Sequence, residues 1–304
     1  MQLHTEFIKA VHLQLRKLFS IQPISLTAHL IVMASSISSG YHIDQILVTF
    51  INNGVFGKLD DREQLPAGGR YRRGTTKDGI NVTNAINHIV KGKEDYIYKE
   101  NLTAEGIKEH FAWIRERIDQ SPKKYDGLMV IVSSHGGKDV ILGSDELRVS
   151  IYEDIIAPFH NNQYKGLRGK IKIFVSNACR GDEGRTVQVY DSGTMVTDPL
   201  NVKKEVSKGI NVHAKGDYVI IHSTAPDAVS VRDPEMGSPL LRHLFGEIED
   251  VAESNCLSEM SVMDIFQNMK ARYTKQDKGS VPGIEDYTEQ KIYLSSKGIF
   301  IVFQ

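Results

Sequence analysis

Cysteine is scarce. Only Cys179 and Cys256 occur in 304 residues, which excludes a disulfide framework and leaves too few thiols for a zinc cluster. Such usage fits a reducing, cytoplasmic setting. An excess of charge is also missing: 37 Lys and Arg stand against 38 Asp and Glu, for a net charge of -1. Nucleic acid and anionic membranes are held through concentrated basic surface, so neither is an expected partner. Long hydrophobic runs are absent as well. The most lipid-like stretch covers only residues 24–33, well short of the roughly 20 residues that span a bilayer. Arg16 and Lys17 before it and ASSISSG after it give it the outline of an atypical signal peptide, an outline weakened by Gln22, Pro23 and His29. There is no internal repeat or low-complexity tract, and a chain that is 40% hydrophobic and 25% charged is of the ordinary globular kind.

What is present is periodic. Phe7, Val11, Leu15 and Leu18 recur at helical spacing, so residues 1–45 are expected to form an N-terminal extension or pro-segment that begins with an amphipathic helix. From residue 46 the pattern changes to short apolar runs rich in β-branched residues: ILVTFIN at 46–52, GLMVIVS at 127–133, KIKIFVS at 170–176 and DYVIIHS at 217–223. These read as buried strands. Helical stripes lie between them, one at Ile107, Phe111, Ile114 and Ile118 and another at Leu241, Leu244, Ile248 and Val251. Ser150 with Glu153 makes a capping box opening a crossover helix that reaches His160, and Ser238 followed by Pro239 is a preferred helix start. Alternating strands and helices predict an α/β fold, a mainly parallel central sheet with helices on both faces. KIYL at 291–294 and GIFIVF at 298–303 predict an antiparallel edge. Residues 181–216 carry five glycines and no sustained period, and a structureless stretch of that length reads as a functional loop.

Two strand ends concentrate the reactive side chains: VSSHGG at 132–137 and VSNACRG at 175–181. Ligands of open α/β sheets bind outside the carboxyl ends of the strands, and both His135 and Cys179 fall there. Their separation leaves room for one crossover between adjacent strands. A thiolate beside an imidazole supplies a nucleophile and a proton shuttle for amide hydrolysis, and an imidazolium can lower a thiol pKa from about 8.5 toward the range 3.5–7.5. Gly136 and Gly137 leave the backbone after His135 unobstructed, so the Gly136 N–H and that of Cys179 are candidate oxyanion donors. Cys256, in ESNCLSE, has no histidine beside it in sequence and is assigned no catalytic role. His160, His213 and His222 show no metal-ligand spacing, and neither a metal nor a cofactor is expected.

SHG followed by a cysteine in an ACRG segment resembles the paired catalytic motifs of caspases, whose pentapeptide is a recognised signature with its histidine about 50 residues upstream. The resemblance extends through INN at 51–53, RYRRGT at 70–75 and STAPDAVSVRDPEMGSPLL at 223–241; metacaspases, with their DSCHSG-like motif, are less similar. It implies a three-layer caspase-like sandwich divided into a large-subunit part (46–181), a mobile linker (182–216) and a small-subunit part (217–304). It further implies a cysteine endopeptidase acting on protein substrates after acidic residues, in regulated proteolysis or cell death. Asn177 stands where the family has glutamine, one methylene shorter, so glutamate is an expected substrate residue beside aspartate. By resemblance, Asn177, Arg72 and Arg232 line the primary specificity pocket, with Arg73 an alternative to Arg72; two guanidiniums around one pocket select a carboxylate. The resemblance also implies maturation by cleavage in the linker, with Asp191 of YDSG the best candidate, and a homodimer paired along the C-terminal strand. A catalytically weak scaffold that binds a partner is the alternative, and a hydrolase of a non-peptide amide is a third class.

Overall fold

The computed structural model describes residues 40–56, 71–181, 216–226, 228, 230, 232–276 and 282–295, together with the backbone of 189–191 and 194–196. In chain order the strands are β1 (Tyr41–Ile43), β2 (Ile46–Asn52), β3 (Tyr96–Glu100), β4 (Gly127–Ser133), β5 (Gly136–Gly137), β6 (Val140–Leu142), β7 (Arg148–Ser150), β8 (Ile171–Asn177), β9 (Val189–Asp191), β10 (Thr194–Val196), β11 (Tyr218–His222), β12 (Gly283–Asp286) and β13 (Ile292–Leu294). The α-helices are α1 (Thr75–Ile89), α2 (Ala104–Gln120), α3 (Pro239–Glu253) and α4 (Val262–Gln276).

Six strands form the central sheet in the order β12-β11-β8-β4-β2-β3, all parallel except β12. Its inner strands are apolar on both faces, because each face is covered. Val48, Phe50, Met129, Ile131, Ile173, Val175, Val219 and Ile221 pack with α1, α3 and α4. Their neighbours Leu47, Ile51, Leu128, Val130, Val132, Phe174 and Ile220 pack with α2 on the other side. The result is the expected three-layer α/β sandwich. On α2 the stripe Ile107, Phe111, Ile114 and Ile118 is buried, each such side chain contributing about 1.5–3 kcal/mol. Thr103 caps this helix by accepting the Gly106 N–H at 3.0 Å. No helix among the described residues is long and apolar enough to cross a membrane.

Several expectations change. Ser150 accepts the Glu153 N–H at 3.1 Å as a cap, yet the crossover it opens is a π-helical turn (Ile151–Ile156) followed by a 3-10 turn (Ala157–Phe159), not a regular helix. Pro158 has no N–H to continue an α-helical ladder there. The antiparallel edge of the central sheet is β12, a strand whose GIED sequence carries no apolar run. β13 pairs in parallel with β1, in a separate two-stranded sheet that draws residues 41–43 into the body of the fold; its expected antiparallel partner, GIFIVF, lies outside the described residues. Within the linker, β9 and β10 form a short antiparallel hairpin with Asp191 paired to Thr194, where the sequence pattern predicts no element. The N-terminal amphipathic stripe at 7–18, GIFIVF at 298–303 and the remainder of the linker lie outside the described residues.

Candidate active site

Parallel pairing in register brings the carboxyl ends of the inner strands level. Asn52 pairs with Ser133, and Ser133 with Asn177, so three polar side chains stand in a row across the end of an otherwise apolar sheet. His135 and Cys179 each follow two residues beyond the Ser133–Asn177 pair, on strands about 4.8 Å apart. The Ser134 N–H donates to the Asn177 carbonyl at 3.2 Å, extending the pairing one step. After His135 the chain turns into the small sheet β5-β6-β7, where the His135 carbonyl accepts the Leu142 N–H at 2.9 Å. The His135 ring packs on Phe56, with centroids 4.6 Å apart. Glycine is required at 136: a Cβ there would lie 2.5 Å from the Val140 carbonyl, 2.9 Å from the Ala178 Cβ and 3.3 Å from the Cys179 carbonyl. The backbone after the histidine therefore runs against the backbone of the cysteine, which is where two N–H donors are needed.

Cys179 is half-buried, and its Sγ lies 3.9 Å from the Ser230 carbonyl. Burial pushes its thiol pKa up, while the guanidiniums of Arg72 and Arg232 pull the other way. This direction is opposite to the depression that a neighbouring imidazolium would produce.

Beside the cysteine, three side chains from distant segments converge on one oxygen. Arg72 donates from Nη1 to the Asn53 carbonyl at 2.7 Å and from both terminal nitrogens to Ser133 Oγ at 3.3 Å. Asn177 Nδ2 donates to the same Oγ at 2.8 Å, and Arg232 Nη2 at 3.3 Å. Arg73, the alternative to Arg72, is exposed. Asn177 is oriented in turn by Ser238, whose hydroxyl donates to Asn177 Oδ1 at 2.7 Å. Arg232 Nη1 lies 2.6 Å from Asp78 Oδ2, and the other Asp78 oxygen accepts the Ser238 N–H at 2.6 Å. A serine hydroxyl offers two lone pairs to these four N–H groups, so the donors outnumber what it can satisfy. Two guanidiniums face one carboxylate, Asp78. Burial, reinforced by the neighbouring Arg232 cation, pushes the Arg72 pKa well below the usual guanidinium range. Among the described residues, charge and donor count both leave the cluster short of one anionic acceptor.

A second network leaves the cysteine toward the sheet edge. Arg180 is buried, donates its N–H to the Ala228 carbonyl at 3.0 Å, and places Nη2 3.3 Å from Glu285 Oε1 and 3.7 Å from Asp139 Oδ1. Glu285, on β12, also lies 3.0 Å from His222 Nε2 and accepts the hydroxyls of Tyr152 and Tyr287, each at 3.1 Å. His222 above all holds its carboxyl down at about 2, despite partial burial.

Sequence reasoning missed Ser133, Asp78, Ser238 and Glu285. Ser133 was legible in VSSHGG as the last strand residue before the histidine, whereas Asp78 and Glu285 meet their arginines only through tertiary folding. Cys256 lies in the turn between α3 and α4, its Sγ donating to the Ser254 carbonyl at 3.3 Å.

A doubly covered, mainly parallel sheet with a histidine and a cysteine two residues past the ends of neighbouring strands has the arrangement expected of a cysteine-peptidase domain. The chain belongs to the caspase family, whose caspase-domain model matches residues 47–293. It is 25% identical over 214 residues to Caspase-1-A of Xenopus laevis, covering 65% of this chain and 52% of that protein. It is 29% identical over 193 residues to Caspase-4 of Mus musculus (60% and 48%), and 23% identical over 252 residues to Caspase-8 of Rattus norvegicus (82% and 49%). The chain spans about half the length of these curated relatives.

Proposed function

We propose that this domain is a cysteine endopeptidase that cuts protein substrates after acidic residues, aspartate above all, in regulated proteolysis or cell death within the cytoplasm. The observation that carries the reading is the oversubscribed Ser133 oxygen, with Arg72, Arg232 and Asn177 gathered on it and, among the described residues, Asp78 alone to balance two guanidiniums. A substrate carboxylate completes this set with two lone-pair-rich oxygens and one negative charge. An amide or apolar side chain leaves the cations desolvated and unpaired, which is the stronger part of the selection. The shorter Asn177 leaves space for glutamate as a second choice.

In the proposed mechanism His135 takes the Cys179 proton and the thiolate attacks the scissile carbonyl. The oxyanion accepts the N–H groups of Gly136 and Cys179. His135 then protonates the departing amine, and a water deprotonated by the same ring releases the acyl group from sulfur. The uncut chain is a low-activity form, because an uncut linker of this kind can hold the specificity-pocket loops away from their active positions, as the resemblance to caspases implies. Cleavage after Asp191, in the hairpin of the linker, frees the segment that joins the nucleophile's strand to β11 and Arg232. Two copies pair along the C-terminal strand GIFIVF at 298–303, which lies outside the described residues; an unpaired apolar edge strand is a template for a second copy. Labelling by an electrophilic acyl-aspartyl probe tests the whole reading. Expected is one adduct, on Cys179, that a matched acyl-asparaginyl probe does not form; equal labelling by both overturns the acidic specificity, and labelling by neither overturns the peptidase.

A further inference from the structure

On the face of the sheet opposite α2, helices α1 and α3 pack together, and their ends gather three ligand-type side chains that the peptidase site does not use. His88 lies in the last turn of α1, and Glu249 and Glu253 stand one turn apart near the end of α3. One ligand atom from each lies within 4.8 Å of the other two. Around a tetrahedral zinc with bonds of about 2.0–2.1 Å, ligand atoms stand roughly 3.3 Å apart. Coordination would draw these atoms closer through rotamer changes at two half-buried residues and one exposed residue.

The electrostatics of α3 independently call for a cation here. Glu249 and Glu253 are like charges at i and i+4, which repel. They also sit at the carboxyl end of the helix, where the macrodipole is negative, and α3 has no basic residue in its last turn. Arg272 is committed to Glu247 and Asp250. Neither Glu249 nor Glu253 has an ion pair among the described residues. A helix end with two carboxylates facing an imidazole from another helix is arranged for a positive charge that, among the described residues, no side chain supplies.

We propose that a divalent cation of the zinc class binds at His88, Glu249 and Glu253, with water as a fourth ligand. One imidazole nitrogen with two carboxylates suits zinc, whereas magnesium and calcium favour oxygen-only sets. His88 belongs to the part of the chain before the linker and the two glutamates to the part after it, so the ion ties the two parts together at a place away from the cysteine. The ligands lie far apart in the chain and show no spacing motif, which is why sequence patterns give no sign of a metal.

The test is calorimetric titration of zinc chloride into the uncut chain carrying Cys179→Ala and His135→Ala, which removes the candidate catalytic ligands and makes the outcome independent of the peptidase reading. One zinc per chain is expected, with a rise in unfolding temperature. Both should be lost or weakened at least about tenfold in His88→Ala and in Glu249→Gln, since even indirect partners of a metal ligand are worth that much. Circular dichroism and metal-free unfolding temperature identify any variant that has lost its fold, and Glu253→Gln, the most exposed substitution, then replaces it. Absence of zinc binding at submillimolar concentration, or undiminished binding in folded His88→Ala and Glu249→Gln chains, overturns the proposal.

Discussion

Replacing Glu285 with glutamine tests the network that joins the edge strand to the residue after Cys179. The carboxyl falls from an ordinary 4.5 to about 2, chiefly through His222 at 3.0 Å. Taken at face value, that gap corresponds to about 3.4 kcal/mol at about 1.36 kcal/mol per pKa unit. The side chain is 27% exposed, so solvent screening reduces the expected contribution to about 1–3 kcal/mol. A depressed carboxylate stabilises the fold above its unfolded pKa, and that contribution disappears as pH falls from there toward the folded value. The Glu285→Gln chain should therefore be less stable than its parent by about 1–3 kcal/mol near neutral pH. The deficit should start to shrink below about pH 4.5 and close toward pH 2. Urea unfolding at several pH values, both chains carrying Cys179→Ala to prevent self-cleavage, reads this difference directly. A deficit that stays constant down to about pH 3 would mean that lost packing, not lost charge, was measured; no deficit at neutral pH would refute the network's role in stability.

Cys179→Ala should lower peptide turnover at least about a thousandfold while urea unfolding of the chain is unchanged, because it removes a nucleophile without touching the core. Arg232→Ala should erase the preference for aspartate over asparagine peptides at a cost of roughly 2–5 kcal/mol, or about thirtyfold to several thousandfold in kcat/KM; an unaltered ratio would place the acidic specificity elsewhere. Intact-mass analysis should find two fragments meeting at residues 191 and 192 in the active chain and a single chain in Cys179→Ala, and Asp191→Ala should remove that cut.

The fold was legible because its signals are local. Strands buried on both faces must be apolar throughout, and helices with one buried stripe must repeat at 3.6 residues, so β2, β4, β8, β11, α2 and α3 announce themselves. β12 did not, because GIED at a sheet edge is stabilised by main-chain pairing and by the bonds Glu285 makes, and neither leaves a periodic trace. β13 carried a clear apolar signal, but its parallel pairing with β1, more than two hundred residues earlier, left no local pattern to read.

The site was half legible for a related reason. His135 and Cys179 each lie two residues past a strand end, where parallel pairing turns a position along the chain into a position in space, so reading the strands amounts to reading the candidate pair. The cluster proposed to bind acidic side chains has no such rule behind it. Arg72 and Arg232 reach Ser133 from loops, and what orders them, Asp78 on α1 and Ser238 at the start of α3, depends on how those two helices pack. A glycine with positive φ stands at each contact: Gly74 at the start of α1 and Gly237 before Ser238. A Cβ on Gly74 would lie 2.6 Å from the Asp233 carbonyl, and one on Gly237 2.5 Å from Asp78 Oδ1. These two residues allow the Arg72 loop and the Arg232 loop to approach closely enough to share one serine. Substituting either by alanine should loosen acid selection before it harms the Cys179–His135 pair, because the strain falls on the loops that carry the guanidiniums and not on the strands that carry the nucleophile.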